Sequence, residues 1–561
     1  MGPRGPCEAR FAPRIRLVAW GGSRDYTSAA MQTALTNPKA GAEAGSPEML
    51  TGVSPVDGRP LPPVSISTVE DIQKAVAGAR DAQPAWAALG VDGRTAALQR
   101  AAKRMLVDRD TILAILTQEI GKFEVDGLFS EALGPLDVVN QWAKLVKKGT
   151  AEKKVFLNPV GFPGKKASHQ LVPRGVIGCI TPWNYPIATF FRPVIPALLT
   201  GNAVVIKPSE FAPRAANWFA THLAAELPDG VVNVVHGRGA VGAALIDAGI
   251  DACTFTGSVA TGKKVAVACA ERLIPVSVEL GGKDPAIVLE DALLTRTAAG
   301  LGHWALQNAG QSCGAVEVAL VQENIADELV ARLRSGFSRL HVGSGRFAET
   351  DLSPLATEAQ LELVERHVKD AIDKGAKLVT GGERTGEGFG YLPTLLDNCT
   401  DEMLVTTEET FGPVLPIVRI AGVEEAIRFV NGSKYGLTAS IWTKDLARAR
   451  RIAGRLDVGT VTINNHSVTG AMTALPWSGT RDTGPGIANS THSLSLFCRP
   501  KSLLVDSNTG PDPFWLPFDR SLYDLGDLLA DAMVGRVGQA FRIPILALGR
   551  AKTIKKFWSQ R

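Results

Sequence analysis

G-V-I-G-C-I at residues 175–180 and A-V-V-I-K at 203–207 decide the fold, because each run is short and apolar along almost its whole length. Such runs fit strands buried on both faces, and those belong to parallel sheets covered by helices. The pattern continues with V-V-N-V-V (231–235), A-C-T-F-T (252–256), P-V-S-V-E-L (275–280) and P-A-I-V-L (285–289), separated by helical stretches. This alternation predicts an α/β fold with a doubly wound parallel sheet. Residues 290–480 repeat it less regularly, which predicts a second α/β lobe.

Before the first strand, V-S-P-V-D-G-R-P-L-P-P-V (53–64) reads as a turn between short strands, and residues 69–148 read as several amphipathic helices. Residues 1–30 carry five arginines with Pro and Gly and no periodicity. A disordered extension over 1–48, or a start codon assigned upstream of Met31, accounts for that composition more simply than a transit-like segment.

A chain of 561 residues, 45% hydrophobic and 21% charged, can bury large cores in two or more lobes. Its 60 basic and 56 acidic residues leave a net charge of +4, too weak a field to predict nucleic-acid or general membrane attraction. The seven cysteines are dispersed and include no C-x-x-C, which argues against a disulfide framework or zinc knuckle and for a reducing compartment. The eight histidines include no H-E-x-x-H, so no metal is expected. No run of eighteen apolar residues and no secretory h-region are present, and the expected address is cytoplasmic.

The chemistry centres on Cys313, in Q-N-A-G-Q-S-C-G-A-V (307–316), with Glu279 thirty-four positions upstream in V-E-L-G-G-K-D-P. A thiol becomes a strong nucleophile as thiolate, and the flanking Gly310 and Gly314 let backbone pass close to a bound carbonyl. The pair suggests a nucleophile with its own general base.

Two glycine-rich turns compete for a nucleotide. H-G-R-G-A-V-G follows V-V-N-V-V and satisfies G-x-G-x-x-G at Gly237, Gly239 and Gly242. F-T-G-S-V-A-T-G-K-K (255–264) also joins strand to helix, where Gly257 and Ser258 offer N–H groups and a hydroxyl to phosphate, or an ordinary helix cap. Lys207 and Glu210 follow another strand end, in reach of ribose hydroxyls if the turn is not merely solvated.

Taken together, T-P-W-N-Y-P, V-V-I-K-P-S-E, F-T-G-S-x-x-x-G, V-E-L-G-G-K, G-Q-S-C and E-E-T-F-G-P-V resemble the aldehyde dehydrogenase superfamily in order and spacing, over roughly residues 50–506. The resemblance implies two doubly wound parallel-sheet lobes with a β oligomerisation arm. It places NAD(P) binding in 49–154 and 174–281, catalysis in 282–480, the arm in 155–173 and 481–506, and an extension in 507–561. It implies that Cys313 is the nucleophile, Glu279 the base, and the Asn184 amide with the Cys313 N–H an oxyanion hole. Cofactor contacts carry over to Thr181, Trp183, Lys207, Glu210, Gly257, Ser258 and Leu280, with Glu409 and Phe411 on the nicotinamide-ribose side. The pyrophosphate thereby moves to Gly257 and Ser258, and the match at Gly237 becomes mainly a tight turn, with a place bordering adenine left open. NAD is expected over NADP, because Glu210 repels a 2′-phosphate, although Lys207 partly offsets that. A homo-dimer or tetramer is implied.

Two departures stand out. Many relatives carry Lys in K-x-x-P-A-L, whereas this chain has Pro193 there, preceded by Arg192. The late P-F-G-G-x-K-x-S-G-x-G stretch is altered to P-W-S-G-T-R-D-T-G-P-G (476–486). S-C-G-A-V-E-V after Gln311 is similar to relatives acting on medium- or long-chain aliphatic aldehydes. The alternatives are a relative that passes the acyl group to coenzyme A, against which Glu279 argues, and a silent scaffold, against which the trio Asn184, Glu279 and Cys313 argues. In the tail, seven basic and no acidic residues lie between Ala532 and Arg561, interleaved with apolar ones. That reads as packing on its own subunit or a neighbour rather than peripheral contact with an anionic membrane, and Pro544 and Gly549 are expected to break any long helix.

Overall fold

The computed structural model describes residues 48–159, 161–344 and 350–559, so the expected disordered extension falls outside it but for its last residue. β1 (Met49–Leu50) and β2 (Val64–Ser65) pair antiparallel around the predicted turn. Helices α1 (Val69–Ala88), α2 (Gly90–Val107), α3 (Arg109–Ile120) and α4 (Pro135–Thr150) carry the amphipathic stretch. A capping box starts α1, with the Thr68 hydroxyl accepting from the Asp71 N–H and the Asp71 carboxylate accepting from the Thr68 N–H. Trp86, Leu98, Ile112 and Trp142, one from each helix, share a buried cluster with Ile177 and Ile206. A short edge strand, β3 (Lys153–Val155), and the longer β4 (Lys165–Pro173) follow.

β5 (Val176–Ile180), helix α5 (Pro186–Leu199), β6 (Ala203–Lys207), β7 (Val232–Val234), β8 (Ala252–Thr256), helix α6 (Val259–Glu271) and β9 (Val276–Glu279) build the first lobe. Its strands run parallel in the order β7-β6-β5-β8-β9. All of β5 and β6 is buried, and alternate side chains enter opposite clusters: Ile177 and Cys179 on one face, Val176 and Ile180 on the other. Burial on both faces is why these strands read as continuous apolar runs. Because β6 lies on one side of β5 and β8 on the other, the winding reverses between β5 and β8, and a crevice opens at their carboxyl ends.

The sixth apolar run does not extend that sheet. β10 (Pro285–Val288) instead sits inside a seven-stranded sheet, followed by helix α7 (Leu294–Leu306). With β11 (Val318–Gln322), β12 (Lys377–Thr380), β13 (Thr394–Asp397), β14 (Val414–Ile420), β15 (Thr438–Trp442) and β16 (Thr460–Ile463), the order is β12-β13-β14-β11-β10-β15-β16. All pairs are parallel except β12 with β13. β17 (Trp477–Ser478) and β18 (Ile487–Ala488) form a small antiparallel pair. β19 (Cys498–Asp506) then lies antiparallel to β4 along nine residues, making the three-stranded sheet β19-β4-β3.

The C-terminal extension folds into helices α8 (Arg520–Met533) and α9 (Arg542–Ser559). The expected helix break is absent: α9 runs 18 residues through both Pro544 and Gly549. Pro544 is its third residue, where a backbone N–H has no intrahelical partner to lose, and Gly549 costs only about 1 kcal/mol.

Candidate active site

A cavity of about 670 Å3 opens at the carboxyl ends of β5, β8 and β9 of the first sheet, facing the segments that lead into β10, β11 and β14 of the second. It is lined by Trp183, Asn184, Gly257, Ser258, Glu279, Leu280, Cys313, Glu409 and Phe411. Residues spread over 229 positions of sequence therefore meet in one place. Thr181, Lys207 and Glu210 lie outside the cavity lining, on the strand ends beside it. Thr181 follows β5 and donates its N–H to the carbonyl of Lys207, at the end of β6, at 3.1 Å.

Cys313 is half-buried in a turn that leaves α7 through three successive left-handed residues, Asn308 (φ 54°), Ala309 (φ 54°) and Gly310 (φ 71°). Such backbone persists only where its surroundings hold it. Here Asn308 Nδ2 donates to the carbonyls of Asn184 (2.9 Å) and Gln311 (3.1 Å), Gln311 Nε2 donates to the Asn308 carbonyl (3.1 Å), and Asn184 Nδ2 donates to the Gln311 carbonyl (3.0 Å). The two glycines make room for neighbouring protein. A Cβ on Gly310 would strike the Gly412 carbonyl, and one on Gly314 would strike Ser467 and Trp477.

Glu279 ends β9, directly below a stretch that pins it. Thr483 accepts the Leu280 N–H at 3.0 Å and donates its hydroxyl to the Gly281 carbonyl at 2.9 Å. Burial pushes the Glu279 carboxyl up to about 7, and the Arg192 guanidinium pulls it back. Burial also pushes the Cys313 thiol up to about 12, again against the pull of Arg192, with Glu279, Asp284 and Glu409 adding to the rise. Arg192, noted in the sequence only as the neighbour of a missing lysine, is thus the cation that acts on both groups. It lines the cavity, lies 5.5 Å over the Trp477 ring and donates to the Gly470 carbonyl at 3.2 Å.

A buried ion pair that sequence reading passed over holds the Glu409–Phe411 segment. Lys283 Nζ meets Glu317 at 2.6 Å and Thr410 Oγ1 at 3.1 Å, while Glu317 accepts the N–H groups of Thr410 (2.9 Å) and Phe411 (2.8 Å). Both residues stood inside quoted motifs, V-E-L-G-G-K and S-C-G-A-V-E-V. This clamp supports Phe411 at φ 52°, with its ring edge-on to Trp183 at 5.7 Å. Glu409 accepts from the Gly282 N–H at 3.1 Å, and burial, then Glu317, raises its carboxyl to about 8.

At the β5–β8 crevice the residues fit a dinucleotide. Thr181 Oγ1 is buried and has no hydrogen-bond partner among the described residues. Ser258 caps α6, placing the free N–H groups of that helix beside Gly257. Lys207 is buried, which lowers its ammonium, and its contact with Glu210 is long, at 3.8 Å. The competing turn follows the edge strand β7, where Gly237 packs on Val241 and Ile66, and its helix reaches Lys207, since a Cβ on Gly242 would stand 4.0 Å from that side chain.

The model of the Aldehyde dehydrogenase family matches residues 42–503. Among similar proteins, a 4,4'-diapolycopene aldehyde oxidase from Methylomonas sp. is 36% identical over 85% of this chain and 89% of its own length. Among solved structures, an aldehyde dehydrogenase from Bacillus cereus in complex with NAD+ is 30% identical, with a TM-score of 0.78 over 82% of this chain and 94% of that one. An NADP dependent enzyme of E. coli is also 30% identical at a TM-score of 0.78, covering 82% and 95%.

Proposed function

The chain belongs to the aldehyde dehydrogenase family, and we propose, with that as the premise, that Cys313 carries the acyl group and Glu279 releases it as a carboxylic acid. The reaction class is that of the family: oxidation of an aldehyde to an acid with NAD(P)+. What supports the assignment of roles is one observation, the convergence of Cys313, Glu279 and Asn184 on a single cavity.

In this reading Cys313 Sγ attacks the carbonyl carbon, and the thiol proton leaves to a base in the cavity. Glu279, raised to about 7, is matched to accept it near neutral pH. Asn184 Nδ2 and the Cys313 N–H steady the charge that develops on the substrate oxygen. When bound, the cofactor supplies the acceptor for the departing hydride. Thr181, Gly257, Ser258, Lys207 and Glu210 would hold it, with Trp183, Leu280, Glu409 and Phe411 around the nicotinamide end. After giving the thiol proton up to solvent, Glu279 takes a proton from water, the oxygen adds to the thioester carbon, the C–S bond breaks, and Cys313 leaves as thiolate and is regenerated. A base in this position favours hydrolysis over transfer to coenzyme A.

NAD is the preferred partner in this assignment, because Glu210 stands at the ribose position, 3.8 Å from Lys207. The substrate is an apolar aldehyde of medium or long chain, as the lining side chains Phe129, Val138, Trp142, Phe191, Trp304 and Val468 suggest. The exposed Leu503, Leu504 and Val505 on β19 support a homo-dimer or tetramer built through the arm. Dispersed cysteines, five of the six described being buried, support a reducing, cytoplasmic site of action. Measuring NADH formation over a panel of aldehydes tests the reading. Higher kcat/KM for aliphatic chains than for aldehydes ending in a carboxylate is expected, whereas no turnover with any aldehyde would overturn it.

A further inference from the structure

Beyond the family match, which ends at residue 503, the hairpin α8–α9 is fastened to itself. Arg550 is buried at its centre, donating to Asp519 at 2.9 Å, to the Trp515 carbonyl at 2.7 Å and to the Pro517 carbonyl, while Leu525 and Ile554 fill the seam. The apolar residues that remain are turned outward. Met533, Val534, Val537 and Phe541 at the tip, with Ile545 and Leu548 along α9, are each between 64% and 87% exposed. An apolar surface of that size marks a contact with something other than water.

Charge says what that contact is. No acidic residue occurs from Ala532 to Arg561. Arg536 and Arg542 flank the tip, and Lys552, Lys555 and Lys556 continue the helix. On α8 two of the three carboxylates are engaged, Asp524 with Arg520 at 2.9 Å and Asp531 with Arg536 at 3.5 Å, and Asp527 is the remaining one. Phe541, Ile545, Leu548, Lys552 and Lys555 follow a spacing of 4, 3, 4 and 3, which puts them on one stripe, apolar near the tip and cationic beyond. A second copy pairing symmetrically through this tip would bring like charges together. No helix among the described residues is long and apolar enough to cross a membrane, so the surface suits lying on one.

We propose that the α8–α9 hairpin docks on an anionic phospholipid bilayer, its apolar tip entering the acyl boundary and its arginines and lysines meeting lipid phosphates. This departs from the sequence expectation of a packed tail, and it stands independently of the catalytic assignment. The test is co-sedimentation of the full-length protein with vesicles of phosphatidylcholine, alone or mixed with phosphatidylglycerol. Binding to the mixed vesicles is expected, with release at about 0.5 M salt. Two variants, Val537→Asp with Phe541→Asp, and Lys552→Glu with Lys555→Glu and Lys556→Glu, should each bind at least about tenfold more weakly. Both should keep wild-type NADH production from a water-soluble aldehyde, which shows that they fold. Absence of wild-type binding to mixed vesicles overturns the proposal, as does unchanged binding by both variants. A tip variant that lowers the mass in sedimentation velocity without altering vesicle binding also overturns it, and makes the surface a contact between copies.

Discussion

Around Cys313 the backbone is left-handed for three residues and crossed by short hydrogen bonds between Asn184, Asn308 and Gln311, all at 2.9–3.1 Å. At the nucleotide end the contacts are longer. Lys207 and Glu210 stand 3.8 Å apart, Ser258 accepts from Thr261 at 3.4 Å, and the Thr181 hydroxyl has no hydrogen-bond partner among the described residues. The difference fits the roles proposed for each end. Groups that touch a reacting carbon must be fixed before it arrives, since misplacement there costs rate directly. Groups that bind a cofactor keep donors and acceptors free for it.

The contrast breaks most visibly at the nucleophile. Cys313→Ala should lower aldehyde oxidation by at least about 10,000-fold while the thermal midpoint changes little, and retained turnover would end the assignment. Next in size is the rigid scaffold around it. Asn184→Ala removes both the proposed oxyanion donor and the tie to Gln311, and kcat should fall about 100-fold to 1,000-fold with KM for the aldehyde much less affected.

The acid limb of the pH profile sharpens the picture of the electrostatics. If Glu279 works as base, activity is present above about pH 7 and lost as its carboxylate is protonated below that. Arg192→Leu removes the cation that holds both Glu279 and Cys313 down, so the limb should move to higher pH, with about tenfold less activity on the acid side. Arg192→Lys should leave the limb in place. A limb that ignores both variants would show that Arg192 serves another purpose. At the looser end the smallest change is expected: Glu210→Ala should raise KM for NAD+ about tenfold and narrow its advantage over NADP+, with kcat nearly unchanged.

Much of this site was legible because its parts fall in contiguous motifs. Cys313 and Glu279 announce themselves by residue type, and strands buried on both faces leave unbroken apolar runs. Other features depend on distant partners and leave no local trace. Nothing near Lys283 shows that it pairs with Glu317, and nothing near Thr483 shows that it braces Leu280 and Gly281. Arg192 appeared only as a departure, because its influence on Cys313 and Glu279 arises from the path of α5 across the cavity. P-A-I-V-L reads like the five strands before it, yet sheet membership is set by packing, and it seeds the second lobe. In the tail, Pro544 suggested a break because its position within the first helical turn is invisible until the helix start is known.

The central claim, that Cys313 holds an acyl group which Glu279 releases, is tested most directly by mixing Glu279→Gln with NAD+ and an aldehyde and following NADH on the millisecond scale. The account predicts a burst of about one NADH per active site, then turnover slowed by about 100-fold or more, with an acyl adduct on Cys313 by mass spectrometry. Steady turnover at the wild-type rate, without burst or adduct, would contradict it.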